Sequence, residues 1–253
     1  MRVHVPGSGR LNPTLTVLLY SSIAAAAAAF GVIPFAIRDR VPLAWIGWAN
    51  ALAAGLMLGA VYGIAEAGLE TRLLVAAGGA LLGLGFIYAT HRISRTSDLD
   101  LNRLEESGPE YGYQVLLVQW LHAASEGVAI GVAMSIRLDL GIFTALALAV
   151  HNVPEAAVLC AVLRARGIRL RDAAGLAVVM NVSQVLFALA LFAVISAAPV
   201  ILPWTVGFVM GALVYLVMSE LLPESYNQSG HTSIALLTSV AMGMVVLIKG
   251  FLL

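Results

Sequence analysis

The stretch Leu73-Leu-Val-Ala-Ala-Gly-Gly-Ala-Leu-Leu-Gly-Leu-Gly85 contains no charge and no hydrogen-bonding side chain, and no face of it is more polar than another. A helix so composed is apolar all round, which suits a lipid surround, and the run through Ile23 to Ala29 reads the same way. Strands of a membrane barrel would alternate apolar with polar residues, and neither run does. Apolar stretches of about twenty residues, enough to cross a hydrocarbon core of about 30 Å, recur along the chain. They predict an all-α polytopic membrane protein with eight spans, at about residues 14–37, 43–68, 72–91, 113–136, 141–163, 173–198, 203–222 and 233–253. Over the 253 residues 60% are hydrophobic and 11% charged, with a mean hydropathy of +0.94, so water is not the main solvent. The first run is full length and seven follow it, so it is read as a span and not as a secretory signal.

The connections are too short for a soluble domain, and residues 1–253 are expected to form a single transmembrane domain. The one substantial loop, residues 92–112, mixes Ser, Asp, Glu and Gly and suits a solvated linker. Loops one, three, five and seven carry Arg38, Arg40, Arg92, Arg95, Arg103, Arg164, Arg166, Arg169 and Arg171. Only Arg2, Arg10, Arg72, Arg137 and Lys249 lie on the other side. That excess puts the odd loops in the cytoplasm of a cell (inner) membrane and both termini outside it. The net charge is zero and no basic patch is interleaved with aromatics, so no nucleic-acid partner is expected. Cys160 stands alone, which excludes an internal disulfide and a Cys-rich zinc knuckle.

Two neighbouring spans bury ionisable groups. The fourth reads Trp120-Leu-His122-Ala-Ala-Ser-Glu126-Gly127 and the fifth Val150-His151-Asn152-Val-Pro154-Glu155-Ala156. Both contain His-x-x-x-Glu, and a separation of four stacks imidazole and carboxylate on one helical face. Two such helices side by side would present four ligands to a common point. Placing one charge at mid-bilayer costs roughly 2.5–3.5 kcal/mol on insertion scales. A divalent cation among two carboxylates and two neutral imidazoles brings the cluster to zero and removes much of that cost. This donor set suits Zn2+, and also Fe2+, Mn2+, Co2+ or Cd2+, whereas Ca2+ and Mg2+ prefer all-oxygen shells. The same groups would also serve as interhelical hydrogen bonds. Pro154 cannot donate its amide and should free the carbonyl of Val150 beside His151.

Further carboxylates close two other spans, Glu66 with Glu70 and Glu220 with Glu224, each pair four apart. Under the orientation above, one pair stands at each mouth, either as ion-attracting gates at Glu66 and Glu220 or as solvated helix ends. Asn181, Ser183 and Gln184 form a polar patch in the sixth span, lining the same cavity or gluing helices together. Gly55-x-x-x-Gly59-Ala with Tyr62 and Glu66 is echoed by Gly207-x-x-x-Gly211-Ala with Tyr215 and Glu220. The two spans run in opposite senses, which points to a 3+2+3 arrangement with inverted repeats around the fourth and fifth helices.

At His122-Ala-Ala-Ser-Glu126-Gly-Val-Ala-Ile-Gly-Val-Ala, His151-Asn-Val-Pro-Glu155 and Ser219-Glu220-Leu-Leu-Pro-Glu224-Ser the chain resembles the ZIP (Zrt/Irt-like protein) family of metal transporters. The resemblance covers nearly the whole chain. It implies passage of Zn2+ or a related cation into the cytoplasm, by an elevator-like or rocking movement of one helix set against another, often as a homodimer. Ala123 and Ser125 stand where the family usually has Asn and often Pro, and Gln184 stands where it often has Glu. Those positions help hold a second ion, so a mononuclear site is expected, with His122, Glu126, His151 and Glu155 as ligands and Asn152 and Gln184 as auxiliary polar groups.

Two rivals remain open from the sequence. An intramembrane metal-dependent hydrolase would need a general base, but there is no His-Glu-x-x-His and both buried carboxylates are wanted as ligands. A sensor or degenerate carrier would bind the metal without moving it.

Overall fold

The computed structural model describes residues 12–38, 41–68, 72–94 and 109–252. Among the described residues there are eight helices long and apolar enough to cross a membrane. They are α1 (Pro13–Ile37), α2 (Leu43–Gly68), α3 (Leu73–Ile93), α4 (Tyr113–Ile136), α5 (Leu138–Ala165), α6 (Leu170–Ala197), α7 (Pro199–Gln228) and α8 (His231–Leu252). Most of the long loop, with Arg95 and Arg103, falls outside the described residues, as do Arg2, Arg10, Arg40 and Glu70.

Local chemistry sets the ends. Asn12 accepts from the amide of Thr14 at 3.0 Å and Pro13 follows it, a side-chain cap joined to a residue that needs no amide partner. α5 runs on through Pro154 and stops at Gly167, whose φ of 77° lets the chain reverse. There the amide of Ile168 reaches the carbonyl of Leu163 and that of Gly167 reaches Arg164, closing the helix with a glycine cap.

Three spans are interrupted. α1 tightens to a 3-10 turn over Ala28–Val32. α6 breaks at Asn181, whose side-chain amide donates to the carbonyl of Ala177 and competes with the helix's own bonding. α7 passes the expected end at residue 222 and reaches Gln228 through a π-helical turn at Val217–Leu221. Pro223 lacks the amide that Ser219's carbonyl would take in an α-helix, and the register slips just ahead of it.

Packing explains the arrangement. Lipid tails are as apolar as leucine, so helices associate by close van der Waals contact, which small residues allow. A methyl group at Gly55 or Gly59 of α2 would collide with Thr238, Ala241 and Val245 of α8, and one at Gly207 or Gly211 of α7 with the backbone at Ala76 and Ala80 of α3. Exchanging α1–α3 with α6–α8 turns one contact into the other, as two inverted repeats require. The remaining helices obey the same exchange: Gly31 of α1 abuts Ala156 and Ala157 of α5, while Gly127 and Gly131 of α4 abut Gln184 and Ala188 of α6. Two groups result, α1/α4/α5/α6 and α2/α3/α7/α8. α4 lies at the centre, with 78% of its apolar window buried against 22% for α8, so its ionisable side chains are withdrawn from lipid.

Candidate metal site

α4 and α5 are joined at Arg137 and run antiparallel, which puts Glu126 of one beside His151 of the other. His151 Nδ1 lies 3.2 Å from the carbonyl oxygen of Ala53 in α2. A carbonyl can only accept, so Nδ1 carries the proton and the lone pair of a neutral ring is on Nε2. Nε2 stands 3.0 Å from Glu126 Oε1 and 3.5 Å from Glu155 Oε2. Glu155 Oε2 has no hydrogen-bond partner, and all three residues are buried.

Glu126 is held from behind. Asn152 Nδ2 donates to the carbonyl of Ala24 in α1 at 2.8 Å and to Gln184 Oε1 at 3.0 Å; Gln184 Nε2 in turn donates to Glu126 Oε2 at 3.0 Å. This chain has one consistent direction, and it occupies one oxygen of Glu126 while leaving the other toward His151. Gln184 thus touches Glu126 from behind, and Asn152 touches Gln184 without reaching the carboxylate by a hydrogen bond of its own. Ser183 Oγ donates to the carbonyl of Trp120 at 2.7 Å and ties α6 to α4.

His122 goes elsewhere. The sequence suggests that it shares a point with Glu126, His151 and Glu155, but its Nε2 lies 3.3 Å from His91 Nε2 and 3.4 Å from Glu220 Oε1. His91 also pairs with Glu220. The four-residue spacing stacks His122 under Glu126, yet one turn of helix separates them by about 6 Å along the axis, enough for α3 and α7 to supply nearer partners. The described residues therefore form two clusters, Glu126–His151–Glu155 and His91–His122–Glu220, in each of which the ligand atoms lie within 4.8 Å of one another. They adjoin, since His122 and Glu126 stand one helical turn apart on α4.

The outer carboxylates differ. Glu66 is paired with Lys249 of α8, whose ammonium lies 5.6 Å from the ring centre of Tyr62. Glu220 belongs to the second cluster. Glu224 accepts from Gln228 at 2.6 Å near the end of α7.

A model of the family described as ZIP zinc transporter matches residues 89–249, from the last turns of α3 into α8. The chain belongs to the ZIP family. An Arabidopsis thaliana protein provisionally named a zinc transporter is 29% identical over 234 residues, 90% of this chain and 37% of that protein. The zinc transporter GufA of Myxococcus xanthus is 29% identical over 170 residues, 66% of each chain. This ZIP chain therefore spans little more than a third of the first relative and just under two thirds of the second.

His91 was not legible from the sequence of this ZIP chain. It follows no periodic relation to residues 122 or 220, and beside Arg92 it reads as part of a basic helix end. Lys249 was read only as a topological charge, although its pairing with Glu66 links two spans that are far apart in sequence.

Proposed function

We propose that the protein carries a divalent transition-metal cation, Zn2+ foremost, across the bilayer into the cytoplasm, through a mononuclear site of Glu126, His151 and Glu155. The observation that carries this reading is the lone-pair nitrogen of His151, fixed by Ala53 and directed between two buried carboxylate oxygens. Three electron-rich atoms facing one another repel unless a proton or a metal lies among them. Zinc bonds of about 2.0–2.1 Å at tetrahedral angles hold their ligands about 3.3–3.4 Å apart, close to the spacings here. One M2+ also cancels the two carboxylate charges, so the loaded site is neutral inside a low-dielectric bundle. Two relatives bear the name zinc transporter, which favours Zn2+ over Fe2+, Mn2+, Co2+ and Cd2+ as substrate.

In this reading the arginine-rich odd loops face the cytoplasm, and both termini lie outside an inner, cell-limiting membrane. The group α1/α4/α5/α6 carries the site past α2/α3/α7/α8, a movement supported by glycine contacts that lie within the two groups. Residues 1–253 act as one transmembrane unit in lipid. The role is transport and not catalysis, because Glu126 and Glu155 are both committed as ligands and neither remains as a general base.

The test is uptake of radioactive zinc into proteoliposomes by the wild type and by Glu126→Gln and Glu155→Gln, with equilibrium binding to the same proteins. Each variant should take up zinc at the rate of empty liposomes and bind it at least tenfold more weakly. Wild-type protein that binds zinc but gives no flux or counterflow would instead mark a sensor, and normal uptake by both variants would refute the site.

A further inference from the structure

The connection between α5 and α6 is short and strongly basic. Residues 164–172 hold four arginines, Arg164, Arg166, Arg169 and Arg171, against one acidic residue, Asp172. The glycine cap at Gly167 folds this segment into a tight turn, so the four charges stand on a fixed scaffold and not on a loose tail. Arg164, Arg169 and Arg171 are exposed and Arg166 is half-buried. Asp172 lies 3.6 Å from Arg171, but both side chains are more than half exposed, and a pair so placed is largely screened. A fifth arginine joins them. Arg38 ends α1, whose Val32 and Phe35 pack on the same apolar cluster as Leu159 and Leu163 of α5 and Ala173 of α6. Arg38 also stacks over the ring of Trp45, 4.9 Å from its centre, and the indole is 45% exposed. Exposed tryptophans settle at the headgroup level of a bilayer, so Trp45 marks the depth of this arginine. Deeper along the same helices, exposed apolar side chains follow: Ile33 and Ile37 on α1, Val179 and Val182 on α6.

We propose that the α5–α6 turn, together with Arg38, forms a site for the headgroup of an anionic phospholipid. A guanidinium offers paired N–H donors that fit phosphate oxygens, and clustered arginines at a membrane edge attract anionic headgroups in proportion to their number. The apolar residues beneath the arginines decide between a lipid and a free anion. A phospholipid engages both, its phosphate above and its acyl chains along Ile33, Ile37, Val179 and Val182, whereas inorganic phosphate uses only the charges. Among the described residues the charge is also confined to one helix group. All five arginines lie on α1, α5, α6 or the turn between them, while the corresponding ends of α2, α3, α7 and α8 carry one arginine, Arg92, and one carboxylate, Glu224. A headgroup held at the turn therefore acts on the group bearing Glu126, His151 and Glu155 and not on its neighbour. The claim concerns lipid binding and stands whether or not zinc is moved.

The experiment is thermal melting of purified full-length protein in detergent, titrated with dioctanoyl phosphatidylglycerol, dioctanoyl phosphatidylcholine or inorganic phosphate. Phosphatidylglycerol should bind at least about fivefold more tightly than phosphatidylcholine, the weight of a single basic residue at an anionic surface, and inorganic phosphate should leave the melting temperature unchanged. The preference should vanish in Arg164→Gln/Arg166→Gln/Arg169→Gln/Arg171→Gln and persist in Arg72→Gln/Arg137→Gln, which removes arginines from the opposite helix ends. Equal binding of the two lipids, stabilisation by phosphate alone, a preference kept by the fourfold variant or one lost in Arg72→Gln/Arg137→Gln would each overturn the site. Because removing four charges can disturb folding, a second measurement keeps them all and uses Trp45 as reporter. Equimolar vesicles of the two lipids carry bromine on the acyl chains of one or the other, and the emission of Trp45 is taken as the difference between wild type and Trp45→Phe. Bromine on phosphatidylglycerol should quench that emission more strongly than bromine on phosphatidylcholine; equal quenching would overturn the proposal even where the fourfold variant does not fold.

Discussion

His151 Nδ1 and the backbone carbonyl of Ala53 lie 3.2 Å apart, and this contact between α5 and α2 decides which imidazole nitrogen can bind a cation. The Ala53 carbonyl, touching the ring nitrogen that faces away from the carboxylates, fixes both the tautomer and the ring plane, so metal entry does not have to order the ring. His151→Ala should therefore abolish zinc uptake and leave a protein that still elutes as a single species. Proteoliposome flux and size exclusion on the same preparation check this, and uptake at the wild-type rate would remove His151 from the site.

Gln184 acts on zinc through Glu126. Losing its amide leaves one carboxylate oxygen without its donor and lets the other rotate away from His151. Outer-shell groups of this kind are typically worth about 10–100-fold in metal affinity, and that range is expected for Gln184→Ala. Asn152→Ala should weaken binding less, since Gln184 keeps its contact with Glu126. Because the two amides form one chain, the double variant should be no worse than Gln184→Ala alone. Isothermal titration of zinc into the three proteins tests this, and additive losses would mean that Asn152 acts separately.

The spans were legible because each is apolar over its full length, a signal that survives ignorance of its neighbours. The interruptions were not. Asn181 read as one polar residue of a continuous sixth span, and Glu220-Leu-Leu-Pro223-Glu224 read as the end of the seventh, whereas a π-helical turn carries α7 past Pro223 to Gln228. At the site, the four-residue spacing on α4 and α5 brought Glu126, His151 and Glu155 within reach from sequence alone, because that relation is local to each helix and the two helices are consecutive. The partners of His122 were hidden because His91 and Glu220 come from distant segments, and only the packing of α3 against α7 brings them together.

That packing gives a third prediction. Gly207 and Gly211 meet the backbone at Ala76 and Ala80 with no space for a side chain. Gly207→Val should push α3 from α7 and destabilise the bundle by about 1–3 kcal/mol, the usual cost of overpacking. Gly250→Val, at a position with open space around it, should melt like the wild type. Thermal melting in detergent compares them, and equal melting temperatures would show that the contact is not tight.

Glu66 and Lys249 supply the last prediction. A carboxylate at the mouth of a transport path would attract cations if it stood alone, and its place at the end of α2 first suggests a gate. Lys249 neutralises it, and the Glu66 side chain is 55% exposed, so water and salt screen what field remains. Glu66→Gln should therefore leave zinc uptake within a factor of about two of wild type, the small effect expected of a screened surface pair. Lys249→Met is the informative partner, because it uncovers the carboxylate. Its uptake should rise at low ionic strength and return to the wild-type rate at high salt, since a bare charge steers cations only while it is unscreened. Flux measured across a range of salt concentrations decides between a paired anchor and a gate: a collapse of uptake in Glu66→Gln at every salt concentration would make Glu66 part of the ion path despite its partner.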